Sequence, residues 1–199
     1  MENNIENICV FCGSSEDLVQ EYYSTANKLG ELIVENNYGL IHGGGIIGLM
    51  GALTKGAASK NGKIIGVVPE FLNRPNIANS NNQELVITKD MKERKEFMRQ
   101  NACAFIALPG GFGTLEEVAE VITLKQLKYH SKQIIFINTL NYYDKLLDFF
   151  EELYDQNFAN LNYKKLYKIV NTPEQAIEQI KNYQFENIYD KYLGFGNVR

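Results

Sequence analysis

The chain has 199 residues and a formal net charge of -4, with 45% hydrophobic and 22% charged residues. This balance suits one globular domain with a single core, and it lacks the basic footprint typical of nucleic-acid-binding proteins. The polar first six residues and the short apolar runs predict a cytoplasmic protein with no signal peptide and no membrane span.

Short apolar segments alternate with longer amphipathic segments along the chain. The predicted strands are 8–11, 38–41, 63–68, 85–88, 103–108, 133–137 and 166–170. The predicted helices are 18–36, 48–59, 115–128 and 142–154, and two more open after the capping residues Asp90 and Thr172. Asn141 is the predicted cap of helix 142–154, and the polar stretch 73–83 is a predicted loop.

Strands that alternate with helices predict βαβ units, hence a Rossmann-like α/β fold: one mostly parallel sheet covered by helices on both faces. The predicted domain spans residues 1–185, and 186–199 form a C-terminal tail without a clear signal. Ligands of such sheets bind beyond the carboxyl ends of the strands. Three glycine-bearing loops follow predicted strands there, at 13–15, 43–45 and 109–114.

The second of these loops has the form of a dinucleotide fingerprint. Gly43, Gly45 and Gly48 match G-x-G-x-x-G between a strand and a helix, and Glu70 could then meet a ribose. However, the loop follows the second strand instead of the first. The alternative is close packing of the helix against a strand, which Gly48 and Gly51 would serve without any ligand.

The third loop predicts an anion site. Gly110, Gly111 and Gly113 remove side chains from a turn that enters a helix, where free N–H groups and the helix dipole attract anions. Thr114 can add a hydroxyl donor. Because no lysine follows the glycines, this is not a Walker A loop, and a monophosphate fits better than a triphosphate.

Glu117 has two interpretations. It follows Thr114 by three residues, the spacing of a capping box, which by itself favours a helix cap over a catalyst. A bound phosphate would instead take the N–H groups and leave this carboxylate in need of a cation. Arg94 is the candidate cation and shares a predicted helix face with Met98, although a solvated charged face is the alternative.

Cys9 and Cys12 form a C-x-x-C motif, but their spacing places the two side chains on opposite faces of an extended segment. Only two histidines, His42 and His130, could complete a metal site. The sequence therefore favours buried cysteines of the core, and it predicts no metal site.

Together the motifs resemble the LONELY GUY family of cytokinin-activating phosphoribohydrolases, often labelled lysine decarboxylase-like. The family's P-G-G-x-G-T-x-x-E is complete at 109–117, and its E-R-K motif lies at 93–95. G-G-G-x-x-G-L-M-G is complete at 43–51, and F-C-G-S-S at 11–15. The resemblance runs from about residue 8 to residue 150 without large gaps.

The resemblance implies hydrolysis of the N-glycosidic bond of an adenosine 5′-monophosphate, often N6-modified, to free base and ribose 5-phosphate. It implies no cofactor, and a homodimer with the active site close to the subunit interface. Arg94 and Glu117 correspond to the catalytic pair. The implied phosphate and nucleotide contacts are Ser14, Gly45, Lys95, Met98, Gly110, Gly111, Gly113 and Thr114.

Three residues depart from the family's common pattern and put the selectivity for the base in question. His42 replaces a tyrosine, Lys92 replaces a histidine, and Leu124 replaces a tryptophan. A non-catalytic nucleotide or cofactor carrier on the same fold is the principal alternative. A nicotinamide-dependent oxidoreductase is a further class. A lysine decarboxylase is disfavoured, because the glycine-rich turns suit a phosphate and the sequence shows no pyridoxal-phosphate site.

Overall fold

The computed structural model describes residues 5–74 and 84–186. The strands in these ranges are β1 (Asn7–Phe11), β2 (Gly39–His42), β3 (Ile64–Pro69), β4 (Glu84–Thr88), β5 (Ala102–Ala107), β6 (Gln133–Ile137) and β7 (Lys168–Val170). The α helices are α1 (Gln20–Glu35), α2 (Gly48–Ser59), α3 (Met91–Asn101), α4 (Phe112–Gln126), α5 (Asp144–Asp155) and α6 (Pro173–Lys181). Short 3-10 turns lie at Glu70–Leu72, Thr139–Asn141 and Leu161–Leu166.

All seven strands pair in parallel, in the order β4-β3-β2-β1-β5-β6-β7. The central strand β1 pairs Cys9 with Ile41 on one side and with Phe105 on the other. After β4 the chain returns to the centre of the sheet and adds β5 to the other side of β1. The predicted Rossmann-like class is confirmed, and the strand order reverses between β1 and β5.

Two apolar layers cover the two faces of the sheet, because successive side chains of a strand point in opposite directions. Cys9 and Phe11 pack into the layer that holds α3, α4 and α5. Ile8 and Val10 pack into the layer that holds α1, α2 and α6. Both Cys9 and Cys12 are buried free thiols, as the sequence predicts, and burial raises the pKa of each.

Two of the predicted helix caps are confirmed by side-chain hydrogen bonds. The Asp90 carboxylate accepts from the N–H of Glu93 at 2.9 Å, and the Thr172 hydroxyl accepts from the N–H of Gln175 at 3.3 Å. Both caps place a helix directly after a strand of the sheet. The first of them fixes the start of α3, the helix that carries Arg94.

The predicted cap at Asn141 is wrong. Asn141 lies in a 3-10 turn with φ of 59°. Asn138 organises the start of α5 instead, since its side chain accepts from the N–H of Tyr143 and donates to the carboxylate of Asp144, each at 2.7 Å. The last predicted strand is also shorter than expected, because Leu166 ends a 3-10 turn and β7 begins at Lys168.

Some predictions fall outside the described residues. These are most of the loop 73–83 and most of the C-terminal tail, so the predicted domain boundary stays a prediction. Within the described ranges, no helix is both long enough and apolar enough to cross a membrane.

Candidate active site

A crevice opens where the strand order reverses, between the loops that follow β1 and β5. The two loops are joined by main-chain hydrogen bonds from Gly13 N to Pro109 O (3.0 Å) and from Leu108 N to Phe11 O (2.9 Å). The start of α2 is tied to the same place, because Leu49 N donates to Gly13 O at 3.0 Å. A cavity of about 410 Å³ lies between these loops and the first turns of α3 and α4.

The floor of the cavity is the start of α4. This helix begins at Phe112, and Gly111 at its N-cap position offers no side chain to cap the first N–H groups. A β carbon at Gly110 would overlap the Thr114 hydroxyl, whereas β carbons at Gly111 and Gly113 would meet only open space. The turn therefore presents backbone N–H groups to an open cavity, as an anion site requires.

The capping box expected for Thr114 and Glu117 is wrong. Because α4 begins at Phe112, Thr114 already lies inside the helix and cannot be its cap residue. Thr114 and Glu117 are instead neighbours on one helix face, and both line the cavity. The interpretation of Glu117 as a structural cap therefore gives way to a contact with Arg94.

Arg94 and Glu117 form an ion pair at the cavity wall. Arg94 Nη1 donates to Glu117 Oε1 at 2.7 Å, and the two side chains are only 10% and 11% exposed. Arg94 Nε also donates to Val67 O at 2.9 Å, which anchors the guanidinium to the end of β3. A β carbon at Gly43 would overlap Arg94 Nη2, so the glycine at this position makes room for the pair.

Burial raises the pKa of the Glu117 carboxyl above its usual value. The charge and hydrogen bond of Arg94 oppose this rise, and the neighbouring Glu116 carboxylate adds to it. The carboxylate is therefore held by one strong partner in a poorly solvated place, which makes its free oxygen more basic than that of an exposed glutamate.

The 43–48 loop packs closely against neighbouring segments of the chain. Gly48 has φ of +59°, and a β carbon there would lie 2.6 Å from backbone atoms of Ser14 and Ser15. Gly44 has φ of +76° and leaves no room for a side chain beside Val68. Close packing therefore accounts for Gly48, although its neighbour is the 13–15 loop and not the strand that the packing alternative expects.

His42, one of the departures from the family pattern, is fully buried beneath this loop. Gly44 N donates to His42 Nδ1 at 3.2 Å, and His42 Nε2 lies 3.2 Å from the hydroxyl of Thr54. Since Nδ1 accepts a hydrogen bond, the proton of the neutral ring is assigned to Nε2. This histidine supports the turn and does not line the cavity.

Several sequence-predicted residues do meet at the cavity. Its lining includes Ser14, Arg94, Gly111, Gly113, Thr114 and Glu117. Gly110 lies just behind the lining, packed against Thr114 and Gly13. The contacts of these residues with a nucleotide stay predictions.

Three predicted residues lie outside the lining. Met98 is buried in the core, and Gly45 packs against Met50, which does line the cavity. Lys95 pairs with Glu116 and, at 3.4 Å, with Glu120, so it joins α3 to α4 beside the cavity. Their roles toward a nucleotide also stay predictions.

Sequence reasoning missed the apolar side chains that line the same cavity as the ion pair. These are Met50, Leu72, Met91 and Phe112. Phe112 stands between two glycines and is 92% exposed, which is unusual for so large an apolar side chain. Phe112 could have been predicted as a site residue from its position between the two glycines of the turn. Leu72 could not, because it belongs to a 3-10 turn after β3 that carries no recognisable motif.

Among the described residues, no three His, Cys, Asp or Glu side chains lie close enough together to hold a metal ion. The fold and the site define a Rossmann-like α/β protein. At the switch point of its parallel sheet, a glycine-rich helix N-terminus stands beside a buried arginine–glutamate pair.

The comparisons with known proteins agree with this class. Residues 50–180 match a family model described as "Possible lysine decarboxylase". Cytokinin riboside 5′-monophosphate phosphoribohydrolase LOG7 of Arabidopsis thaliana is 35% identical, covering 96% of this chain and 89% of the relative. LOG4 of the same plant is 37% identical over 88% of this chain and 82% of the relative. The chain belongs to this LONELY GUY, or lysine decarboxylase-like, family.

Solved structures share the fold. The molybdenum cofactor binding protein of Rippkaea orientalis superimposes with a TM-score of 0.65 at 26% identity, covering 88% of this chain and 96% of that chain. The Moco carrier protein of Chlamydomonas reinhardtii has a TM-score of 0.69 at 22% identity, with 89% and 96% covered. The second likeness concerns the fold alone.

Proposed function

We propose that this chain hydrolyses the N-glycosidic bond of adenosine 5′-monophosphates, in particular those modified at N6, and releases the free base and ribose 5-phosphate. The observation that carries the proposal is the position of the Arg94–Glu117 pair. Glu117 lies one helical turn beyond Thr114 on α4, and its partner Arg94 on α3 lines the same cavity as the uncapped start of α4. A phosphate bound at that start would hold its ribose within reach of a buried carboxylate.

The reaction passes through an oxocarbenium-like ribosyl cation, as glycoside cleavage does. Ionised Glu117 stabilises this cation and orients the attacking water. The water's hydroxyl bonds to C1′ as the C1′–N bond breaks, and its proton passes by way of Glu117 to solvent or to the leaving base. Arg94 keeps the carboxylate ionised and fixed, because it is itself anchored on Val67 O.

The phosphate contributes to the rate although it is remote from the scissile bond. Its binding at Gly111, Gly113 and Thr114 positions the ribose, so binding energy is converted into orientation at C1′. This division of roles also explains why one turn of α4 carries both the anion site and the carboxylate.

The apolar part of the cavity lining supports a base with an apolar substituent. Phe112, Met91, Leu72 and Met50 stand on the cavity wall together with the polar groups Arg94, Glu117 and Ser14. A ligand with an anionic end and an apolar end matches such a cavity better than a wholly polar one does. The relatives are named for cytokinin riboside 5′-monophosphates, which agrees with this choice.

The second candidate function is a non-catalytic carrier of a nucleotide-like cofactor. It is favoured by the likeness to the molybdenum cofactor binding protein of Rippkaea orientalis at 26% identity. A carrier would bind its ligand at the same crevice and leave it intact. Product formation therefore separates the two functions.

The test incubates the purified chain with AMP and with prenylated AMP, and quantifies free base and ribose 5-phosphate by chromatography. We expect both products in equal amounts, with faster turnover of the prenylated substrate. Tight binding of either nucleotide without any release of base would contradict hydrolysis and favour the carrier.

We further propose that the protein is a cytoplasmic homodimer with its active site near the subunit interface. The family resemblance suggests the dimer. Light scattering after gel filtration should give twice the mass of the 22.7 kDa chain. A fully active monomer would refute the dimer, and cell fractionation tests the compartment.

A further inference from the structure

A second cavity, of about 230 Å³, lies at the amino-terminal ends of the strands, where β6 and β7 begin. The end of α4 and the end of α6 close it from two sides. The polar side chains that the argument uses are Lys125, Gln133, Lys165, Lys168 and Tyr183. The cavity is separate from the crevice around Glu117, because that crevice lies beyond the carboxyl ends of the strands.

Gln133 is the first indication of a ligand at this cavity. The residue is 3% exposed and lines the cavity, yet its side-chain amide forms no hydrogen bond with any group in the described ranges 5–74 and 84–186. The fully buried side-chain atoms that lack a partner among the described residues are Asn7 Oδ1 and Thr139 Oγ1, so the amide of Gln133 is open to the cavity and can hydrogen-bond with a molecule bound there. The cavity is the place from which that partner can come.

Lys125 is the second indication. It is 4% exposed, and its ammonium group donates to Leu166 O at 2.9 Å and lies 5.2 Å from the centroid of the Tyr183 ring. Within the part of the chain that the structure describes, no carboxylate pairs with it. Burial and the charge of Lys168 lower the pKa of Lys125 to about 8. Its ammonium group is therefore a buried charge that lacks a counterion.

The charge of the cavity wall is positive. Lys165 pairs with Glu186 at 2.9 Å, which neutralises one lysine of the wall. Lys125 and Lys168 have no such partner among the described residues. Lys168 is exposed, and its charge also lowers the pKa of Glu186. One buried ammonium group, one exposed ammonium group and a free amide around one small cavity match the oxygens of a doubly charged anion.

We propose that this cavity is a binding site for a small dianionic oxyanion, such as a phosphate ester or a dicarboxylate, held by Lys125, Lys168 and the side-chain amide of Gln133. The anion supplies the missing counterion and the missing acceptor together. The proposal does not depend on the activity at Glu117, since the two sites lie at opposite ends of α4. That helix has 15 residues, and at about 1.5 Å per residue it is roughly 22 Å long.

The test measures thermal unfolding and calorimetric binding of the full chain with inorganic phosphate in one arm and malonate in the other. The variants are Lys125→Met and Gln133→Leu, and Lys63→Met is the control. Lys63 is an exposed lysine that precedes β3 and lies outside this cavity, so its loss changes the net charge equally. The arm with the larger response identifies the anion as a phosphate or a carboxylate.

We expect at least one anion to raise the unfolding temperature of the wild-type chain and of Lys63→Met. The rise should be strongly reduced in Lys125→Met and Gln133→Leu. Phosphate can also occupy the crevice at α4, but that contribution is common to all four proteins. The side-chain amide signals of Gln133 in an NMR titration report on this cavity alone and should shift with the same anion.

Gln133→Leu also tests whether a lost anion response results from misfolding of the variant. Gln133 is 3% exposed and its side chain forms no hydrogen bond within the described residues, so leucine of similar size removes no internal contact and the ligand-free variant should unfold at the same or a higher temperature. A lost anion response in a protein that is at least as stable supports the site. Equal responses in all four proteins, or no response of the Gln133 amide to either anion, would overturn the proposal.

Discussion

Arg94 donates to Glu117 at 2.7 Å while its Nε is held by Val67 O at 2.9 Å, so the carboxylate is oriented by an arginine that is itself immobilised on the sheet. Both side chains are largely buried. The pair satisfies one oxygen of Glu117 and leaves the other for a ligand or a water. Each element of this arrangement can be changed separately by substitution.

Glu117→Gln should lower kcat by about 10²- to 10⁴-fold, the contribution typical of a general acid or base. The amide oxygen can still accept from Arg94, so the fold and KM should change little. Release of free base from prenylated AMP is the measurement. Glu120→Gln is the matched control: it lies on the same helix and pairs with Lys95. Equal turnover of the two variants would exclude Glu117 from the chemistry.

The pH dependence of kcat should show an acid limb governed by Glu117. Burial raises the pKa of this carboxyl above the usual 4.5 of a glutamate, so activity falls as the pH drops through a midpoint above that value. Arg94→Gln removes the cation that lowers this pKa, and the midpoint should move to a still higher pH. Both proteins are measured with the same substrate, so the titration of the substrate's phosphate affects both pH profiles equally. An unchanged or lower midpoint would contradict the assignment.

Gly113→Ala should raise stability and weaken substrate binding at the same time. A β carbon at Gly113 meets nothing within 4 Å, and alanine inside a helix is worth about 0.5–1 kcal/mol over glycine. The new methyl group stands, however, where the proposed phosphate approaches the backbone. Thermal unfolding and KM for AMP measure the two effects.

Gly110→Ala is the companion to that variant. A β carbon at Gly110 would overlap the Thr114 side chain and lie 2.9 Å from Gly13 N, so the turn must shift. We expect lower stability and weaker binding together. If Gly113→Ala left KM unchanged, the phosphate would have to bind elsewhere.

Phe112→Ala should affect substrate choice more than stability. The ring is 92% exposed, so little apolar burial is lost on truncation. If the ring contacts the apolar substituent of the base, kcat/KM for prenylated AMP should fall by about tenfold, which equals roughly 1.4 kcal/mol. The value for plain AMP should change much less. Phe158→Ala, another exposed phenylalanine outside the cavity, is the control, and equal losses for both nucleotides would refute the contact.

Lys125→Met should raise the unfolding temperature at pH 7 and lose this advantage at alkaline pH. The pKa of Lys125 is lowered from 10.5 to about 8. Between these values the unfolded chain binds more protons, so wild-type stability rises with pH as the buried charge is lost. Lys168 and Tyr183, which face Lys125, are present in both proteins. A stability difference that stays constant between pH 7 and pH 10 would contradict the shifted pKa.

The class of fold and the open glycine turn at the start of α4 were predictable from the sequence. Strands of a buried parallel sheet are continuous apolar runs, and capping residues such as Asp90 and Thr172 act on their immediate neighbours. Glycines in a strand-to-helix turn likewise indicate where the backbone can approach a ligand or another segment closely, as at Gly111 and Gly48. These signals depend only on residues that are close in the sequence, so they can be recognised without the tertiary structure.

The site itself was decided by the tertiary structure. Arg94 and Glu117 are 23 positions apart, and they meet because β5 lies between their helices and places both α3 and α4 on one face of the sheet. In the folded chain, Gly48 packs against the 13–15 loop, and α4 begins at Phe112, before Thr114. A pattern of residues determines what each segment can form, whereas the order of the strands determines which side chains share a cavity.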